Sequence, residues 1–228
     1  MHASVRLQNG TLAVFSPVAM TDTVRASLRE LGRVKYLVAL DAEHHIFLEP
    51  WRKEYPDSKL IGMDALATKR EKSGNPLSWS VLFKKGTPTT VDQDFDREFE
   101  YEYVESHQNK ELVFNHKPSG TLIEADMLFN LPANEQMSRS GVSPHAGVLT
   151  RLMNGINNTK GSAVWQKRFL WYAVSSGDRP SFNRSVSIID SWNFNRIIPC
   201  HGDVIEDDGK AVFRKVFGWH LDAHSHSS

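Results

Sequence analysis

Short apolar runs that end in a histidine or an acid recur along this chain, and they constrain its fold more than any other feature. The first run, "VKYLVAL" at residues 34–40, leads directly into "DAEHH". An unbroken apolar run is typical of a strand buried on both faces, as in the parallel sheet of an α/β protein. Polar side chains placed directly after such a strand are costly to bury unless they are paired. Each of these strand ends therefore indicates either a metal site or a polar loop.

The first third of the chain alternates between strand and helix patterns. "SVRLQNGTLAVFSPV" predicts a hairpin around Asn9 and Gly10, because Asn-Gly favours a tight turn. "TDTVRASLRELG" predicts a helix that ends at Gly32, and "FLEPWRKEY" predicts a second helix. The strands "VKYLVAL" and "SKLIGM" follow these two helices. A hairpin followed by α-β-α-β indicates a layered α/β fold.

The remainder of the chain turns from strands to helices. Residues 64–96 are polar and rich in Gly and Pro, so we predict a short helix, a loop and another short helix. Three strands follow, in "EFEYEYVES", "KELVFNH" and "GTLIEADMLFN". Helices are predicted in "GVLTRLMNGIN", "SAVWQKRFLWYAVSS" and "RSVSIIDSWN", then a strand in "RIIPCHGDVI" and an amphipathic helix in "DGKAVFRKVFGWHL". Because no segment resembles a linker, we predict one domain over residues 1–228.

Composition narrows the function classes. Lys+Arg equals Asp+Glu at 27 each, so bulk charge favours neither a nucleic-acid nor a membrane partner, and we expect a small-molecule substrate. The apolar runs are too short to cross a bilayer, and the N-terminus lacks the layout of a signal peptide. The single cysteine, Cys200, excludes an intrachain disulfide and favours a cytoplasmic location. The oligomeric state is left open.

Four predicted strands are followed by side chains that can bind a metal ion. These are His44 and His45, His107, Asp126, and His201. Strand ends at one edge of a layered sheet converge, and ligands bind in the crevice that they form. Imidazole and carboxylate groups are the ligands of zinc, iron and manganese sites. The sequence therefore predicts a metal site built from these strand ends.

The order of elements and the strand-end ligands resemble the metallo-β-lactamase superfamily. The resemblance covers nearly the whole chain and is closest to a divergent branch, marked here by "EHHIF", "YPDSKL", "TLIEADMLFN" and "IIPCHG". It implies an α/β fold arranged as a four-layer αββα sandwich, with a metal site at one edge between the sheets.

The chain departs from the superfamily's main motif, H-x-H-x-D-H. When His45 is aligned with the last histidine of that motif, His44 takes the place of the aspartate. Leu40 and Ala42 then take the places of the first two histidines. Two ligands of the first metal position are therefore missing, and the resemblance implies one ion rather than two.

The resemblance assigns the surviving ligands to the second metal position. They are His45, Asp126 and His201, with His44 as either a fourth ligand or a supporting residue. His107 is a ligand, a substrate contact or a structural histidine at a strand end. Zinc is expected, with iron or manganese as alternatives.

The implied function is metal-dependent hydrolysis of a small ester, lactone, amide or thioester by a metal-activated water. The catalytic residues predicted are Asp126, His107 and Glu43, with Asp41 and Glu124 as further proton acceptors. The alternative is a non-catalytic ligand-binding relative that kept the scaffold and lost the dinuclear centre. Redox or isomerase chemistry at a single iron is a third interpretation.

Two further residues have simple structural interpretations. Cys200 precedes His201 and is expected to be a small buried apolar residue rather than a nucleophile. His220 lies near the C-terminus, and we expect it to be solvated.

Overall fold

The computed structural model describes residues 3–226 and divides the chain into two units, Met1–Phe99 and Glu100–Ser228. Each unit is described separately below. The assignment of residues 1–228 to one domain stays a prediction.

The first unit contains a five-stranded sheet and four helices. Its strands, in the order in which they pair across the sheet, are β1 (Ala3–Arg6), β2 (Thr11–Phe15), β3 (Arg33–Val38), β4 (Lys59–Met63) and β5 (Val81–Phe83). Its helices are α1 (Asp22–Leu31), α2 (Leu48–Glu54), α3 (Asp64–Lys72) and α4 (Gln93–Glu98). The first two strands pair antiparallel, which confirms the hairpin, and β2 to β5 pair in parallel. The parallel pairing explains why β3 is nearly continuous in apolar residues.

Helix α1 is capped by a side chain at its N-terminus and ends at a glycine. The Thr21 hydroxyl accepts a hydrogen bond from the backbone N–H of Val24, over 3.2 Å, which caps the first turn. Gly32 ends the helix with φ of 148°, and a Cβ there would lie 2.2 Å from the carbonyl oxygen of Gly10. Only glycine fits this position, so the helix stops where the hairpin turn meets it.

Aromatic side chains fill much of the first unit's core. The rings of Tyr36 and Phe95 lie 4.9 Å apart, and those of Phe95 and Phe99 stack at 4.4 Å. Tyr36 also donates a hydrogen bond to Asp92, over 2.9 Å, so its hydroxyl is satisfied although the residue is fully buried.

The second unit contains a four-stranded sheet. Its strands, in sheet order, are β6 (Phe99–Val104), β7 (Glu111–His116), β8 (Thr121–Ile123) and β9 (Arg196–Ile198). Strands β7 and β8 are antiparallel, whereas β8 and β9 are parallel, with Ile123 opposite Ile198. Because β8 and β9 end in register, the residues that follow them emerge at the same edge of the sheet. Asp126 and His201 each lie three residues beyond that shared end.

Within residues 100–226, five α-helices complete the second unit. They are α5 (Asn134–Met137), α6 (Val148–Ile156), α7 (Val164–Phe169), which continues into a π-helical turn (Leu170–Val174), α8 (Arg179–Ser191) and α9 (Gly209–Ser225). Phe182 of α8 and Phe213 and Phe217 of α9 are buried in one apolar core that also receives Ile197 of β9. The helices thus cover the sheet that presents Asp126 and His201.

The mixed α/β class with two sheets is confirmed, but several details differ from the prediction. Strand β5 and helix α5 were not predicted. Helix α8 begins at Arg179, five residues before the predicted segment, because the Asp178 side chain caps it by accepting from the N–H of Ser181. Strand β8 ends at Ile123, so most of the predicted strand segment "GTLIEADMLFN" lies in the loop that follows it.

The C-terminal segment also differs. Helix α9 continues to Ser225, and the solvated position predicted for His220 is wrong, because this side chain is fully buried. No helix within residues 3–226 combines the length and the apolar character needed to cross a membrane.

Candidate metal site

A carboxylate and an imidazole meet at the edge of the second sheet. The Nε2 atom of His201 lies 3.4 Å from Oδ1 of Asp126, with the Asp126 side chain 13% exposed and the His201 side chain 45% exposed. The parallel register of β8 and β9 produces this meeting, because each residue follows its strand by the same number of positions. An imidazole nitrogen of a half-exposed side chain and a buried carboxylate oxygen are thereby presented together as possible metal ligands.

The Asp126 loop is held by a buried acid that the sequence analysis did not single out. Glu111, the first residue of β7, is fully buried, and its two carboxylate oxygens accept from the N–H groups of Ala125 and Asp126, over 2.7 and 2.8 Å. The side chain of Asn109 donates to Oδ2 of Asp126, over 2.7 Å. The carboxylate of Asp126 is therefore oriented through both its backbone and one of its oxygens.

His107 contacts this loop through its imidazole ring. The N–H of Asn109 donates to Nδ1 of His107, over 3.1 Å, so a neutral imidazole carries its proton on Nε2. Nε2 lies 3.3 Å from the carbonyl oxygen of Asp126 and donates to it. The side chain is buried and stacks on Phe182. Of the three interpretations left open for His107, this geometry favours the structural histidine.

His201 is positioned by the segment that follows Asp126. Its ring stacks on Phe129, with ring centroids 5.7 Å apart, and its carbonyl oxygen accepts from the N–H of Asn130, over 3.1 Å. The next residue, Gly202, has φ of 115°, and a Cβ there would lie 2.2 Å from the carbonyl oxygen of Asn130. The segments "TLIEADMLFN" and "IIPCHG" are thus in direct contact, and Gly202 allows its backbone to lie close to that of Asn130.

Two neighbours of the pair are buried, and burial raises the pKa of each. Glu124 is almost fully buried, and its burial, with the nearby Glu111 carboxylate, raises the pKa of Glu124 well above its ordinary value. Cys200 is also buried, and burial raises the pKa of its thiol. A buried thiol with a raised pKa is a poor nucleophile, in agreement with the expected role of Cys200.

In the first unit, the loop after β3 is organised by Asp41. This buried carboxylate accepts from the N–H groups of Glu43 and His44, over 3.0 and 2.7 Å, and pairs with Nδ1 of His44, over 2.8 Å. Burial alone would raise the pKa of Asp41, but the hydrogen bonds and charge of His44 hold it below its ordinary value. A carboxylate on Nδ1 fixes the tautomer and directs the imidazole lone pair to Nε2, which is the usual arrangement in a metal-binding histidine.

His45 has a different environment in the same loop. The guanidinium of Arg70 lies 3.2 Å from Nδ1 of His45 and can only donate, so Nδ1 accepts and a neutral ring carries its proton on Nε2. Burial and the charges of Lys69 and Arg70 lower the pKa of His45. In the neutral ring, Nδ1 then accepts the hydrogen bond of Arg70 and Nε2 carries the proton. This arrangement disfavours His45 as a metal ligand.

Glu43, predicted as a catalytic proton acceptor, is held by a cation. Lys69 contacts the Glu43 carboxylate and the Ala42 carbonyl oxygen, each over 2.8 Å. The Glu43 side chain is 56% exposed. The carboxylate predicted to accept a proton is thus engaged in an ion pair at the surface.

Comparison with known protein families gives a match to this chain. The family described as a domain of unknown function, DUF4336, matches residues 2–155 of the 228. The chain belongs to the DUF4336 family. The matched segment includes the loops of His44 and Asp126, whereas His201 lies beyond it. No curated protein matches this DUF4336 protein at a significant level.

Solved structures resemble the DUF4336 protein in fold. Rubredoxin oxygen:oxidoreductase from Desulfovibrio gigas is similar with a TM-score of 0.61 and 14% identity, over 92% of this chain and 51% of that one. A metal-soaked flavodiiron core from Synechocystis gives a TM-score of 0.61 and 13% identity, over 92% and 50%. The DIM-1 metallo-β-lactamase gives 0.50 and 11%, over 97% and 91%.

These similarities establish the fold alone. The predicted class, a mixed α/β fold of the metallo-β-lactamase-like type, is confirmed. The chain spans about half the length of the first two proteins. The sequence motifs that suggested a particular branch of the superfamily are not tested by them.

Proposed function

We propose that this DUF4336 protein is a metal-dependent hydrolase of a small ester, lactone, amide or thioester, and that Asp126 and His201 bind its metal ion. The observation that carries the proposal is the approach of His201 Nε2 to Asp126 Oδ1, at 3.4 Å. A histidine and a carboxylate held this close at a partly exposed sheet edge form the donor set of a zinc, iron or manganese ion.

The surroundings of the pair fit a bound cation. The side chain of Asn109 donates to one oxygen of Asp126 and leaves the other facing His201. The stacking of His201 on Phe129 fixes the plane of the imidazole. Supporting contacts of this kind orient ligands and are as important for metal affinity as the ligands themselves.

The sequence prediction adds His44 as a further ligand. Its pairing with Asp41 supports this role, because the lone pair of the neutral imidazole is then on Nε2. His45 and His107 are not included in the proposed ligand set, since Arg70 and Asn109 donate to their Nδ1 atoms.

The chain's own residues limit which group can take up a proton. Glu43 is in an ion pair with Lys69, and Glu124 is almost fully buried. Asp126 is therefore the proposed acceptor as well as a proposed ligand. When bound, the ion would supply Lewis-acid polarisation of a carbonyl group and activation of water.

Elemental analysis of protein purified without added metal tests the ligand assignment. We expect about one ion per chain, most simply zinc, as the sequence predicts. Asp126→Ala and His201→Ala should lose the ion while retaining a cooperative unfolding transition. His145→Ala, a substitution in an exposed loop of the same unit, should keep full metal content.

Hydrolysis of p-nitrophenyl acetate and of a thioester, with and without zinc, tests the activity. Activity that depends on zinc and disappears in Asp126→Ala would support the proposal. Full metal content in Asp126→Ala would contradict the site. A bound ion without hydrolysis of either substrate would contradict the activity. Neither metal uptake nor hydrolysis would leave a non-catalytic ligand-binding relative as the better account.

A further inference from the structure

An uncharged cleft lies beside the His201 loop in the second unit. Its volume is about 310 Å³, and most of its lining residues are apolar, among them Leu131, Ala133, Met137, Val142, Leu149 and Met153. Within the described part of the chain, no Lys, Arg, Asp or Glu lines it. A cleft of this size and composition is at the small end of the range for ligand-binding sites and suits an apolar group.

The wall of the cleft is bonded to the loop that carries His201. The N–H of Asn130 donates to the His201 carbonyl oxygen, over 3.1 Å, and Leu131, the next residue, lines the cleft. Further along the same wall, the side chain of Gln136 donates to the Cys200 carbonyl oxygen, over 2.8 Å. The cleft therefore begins one residue from the backbone that positions His201.

Helix α6 forms the outer wall of the cleft, and several of its apolar side chains are exposed to solvent. Helix α6 has no buried residue, and Val148, Leu149 and Leu152 are 86%, 70% and 55% exposed. Exposed apolar surface beside a cleft typically marks a binding site. Met137 and Met153 add flexible side chains that can adapt to a ligand.

We propose that this cleft binds the alkyl or acyl chain of the substrate. The inference rests on the proposed function, since it places the reacting carbonyl at Asp126 and His201 and the chain along Leu131 and Leu149. The substrate class becomes a medium-chain acyl ester or thioester, because most of the lining is apolar and a charged substituent would meet no opposite charge among the lining residues. At about 30 Å³ for a water-sized group, the cleft holds roughly ten such groups, which corresponds to a chain of about eight carbons.

The binding experiment uses straight-chain alcohols, which cannot be hydrolysed. Titration calorimetry of the full chain with 1-butanol, 1-hexanol and 1-octanol should show affinity rising about two- to fourfold per added methylene, as expected for progressive burial of an alkyl chain. The Leu149→Gln variant should bind 1-octanol about five- to tenfold more weakly. The matched control is Leu152→Gln, on the same helix but outside the cleft lining, which should bind within about twofold of the unmodified protein.

The kinetic experiment uses p-nitrophenyl esters of acetate, butyrate, hexanoate and octanoate with the zinc-loaded protein. We expect kcat/KM to rise with chain length to about eight carbons and Leu149→Gln to remove most of the rise. Hydrolysis without a chain-length dependence would overturn the cleft while leaving the hydrolase. Chain-length-dependent alcohol binding without hydrolysis of any ester would retain the cleft and contradict the hydrolase. Equal effects of Leu149→Gln and Leu152→Gln would also overturn the cleft assignment.

Discussion

The buried carboxylate of Glu111 accepts a hydrogen bond from the backbone N–H of Asp126, over 2.8 Å. Glu111 precedes Asp126 by fifteen residues in the chain. Its second oxygen accepts from Ala125, over 2.7 Å. Two consecutive N–H groups thus point at one carboxylate, which fixes the loop after β8 and, with it, the direction of the Asp126 side chain. The candidate metal site depends on this contact although Glu111 is not itself proposed as a ligand.

Glu111→Gln should therefore weaken both the fold and the site. The amide NH₂ group would face one of the two backbone N–H groups and leave a buried donor without an acceptor. We expect the free energy of unfolding to fall by about 2–4 kcal/mol and metal content to fall with it. Urea unfolding and elemental analysis measure the two effects. Glu206→Gln, in an exposed ion pair with Arg196, is the control and should change stability by less than about 1 kcal/mol. Equal effects of the two substitutions would refute the role of Glu111.

The sequence was sufficient to predict the elements that position the site. The apolar run of β3 and the Asn-Gly hairpin are local signals, and both are confirmed. The meeting of Asp126 with His201 could be predicted because both residues follow apolar strands, and parallel strands that end in register bring their following residues together.

The sequence could not identify the residues that support the site. Glu111 begins the strand predicted in "KELVFNH", and nothing in that segment marks it as the acceptor for a distant loop. His107 had the same strand-end signal as the proposed ligands, yet the N–H of Asn109 occupies its Nδ1. Which nitrogen of a histidine has a lone pair available depends on three-dimensional hydrogen bonds, and sequence spacing carries no information about it.

The two adjacent histidines of the first unit should differ in their effect on metal binding. Nδ1 of His44 pairs with Asp41, whereas Nδ1 of His45 accepts from Arg70. We expect His44→Ala to lower metal affinity by about 10- to 100-fold, the usual range for disturbing a metal site. His45→Ala should leave the affinity within a few-fold. Competition with a zinc chelator measures both, and a larger loss in His45→Ala would restore the alignment predicted from the sequence.

Gly202 should not tolerate a side chain. Its φ of 115° is unfavourable for any other residue, and a Cβ would lie 2.2 Å from the Asn130 carbonyl oxygen. Gly202→Ala should lower the free energy of unfolding by about 2–4 kcal/mol and displace the His201 loop. The control is Gly218→Ala in helix α9, where a Cβ meets nothing within 4 Å and the change should stabilise by about 0.5–1 kcal/mol. Thermal unfolding compares the two variants, and a stable Gly202→Ala protein would contradict the close backbone contact.

His220 should make the second unit sensitive to acid. Its ring is fully buried, Nε2 pairs with the Ser175 hydroxyl over 3.1 Å, and Nδ1 has no hydrogen-bond partner among residues 3–226. Burial, with the nearby charge of Arg179, lowers the pKa of His220 to about 4. In the unfolded chain, His220 binds a proton as the pH falls below its ordinary pKa of about 6.5. In the folded chain, it does not bind this proton until about pH 4. The contribution of the neutral, buried ring to stability is therefore complete above pH 6.5 and is lost as the pH falls towards 4.

The loss attributable to His220 between about pH 7.5 and about pH 5 should be about 2 kcal/mol. His220→Phe keeps an aromatic ring among Trp171, Phe182 and Phe217 but cannot titrate. Its free energy of unfolding should therefore decline less over this range than that of the unmodified protein, while other acid-sensitive groups affect both proteins alike. Urea unfolding of metal-free protein at several pH values gives the difference between the two slopes. Parallel slopes would mean that His220 binds its proton equally well in the folded and unfolded states, which its buried position argues against.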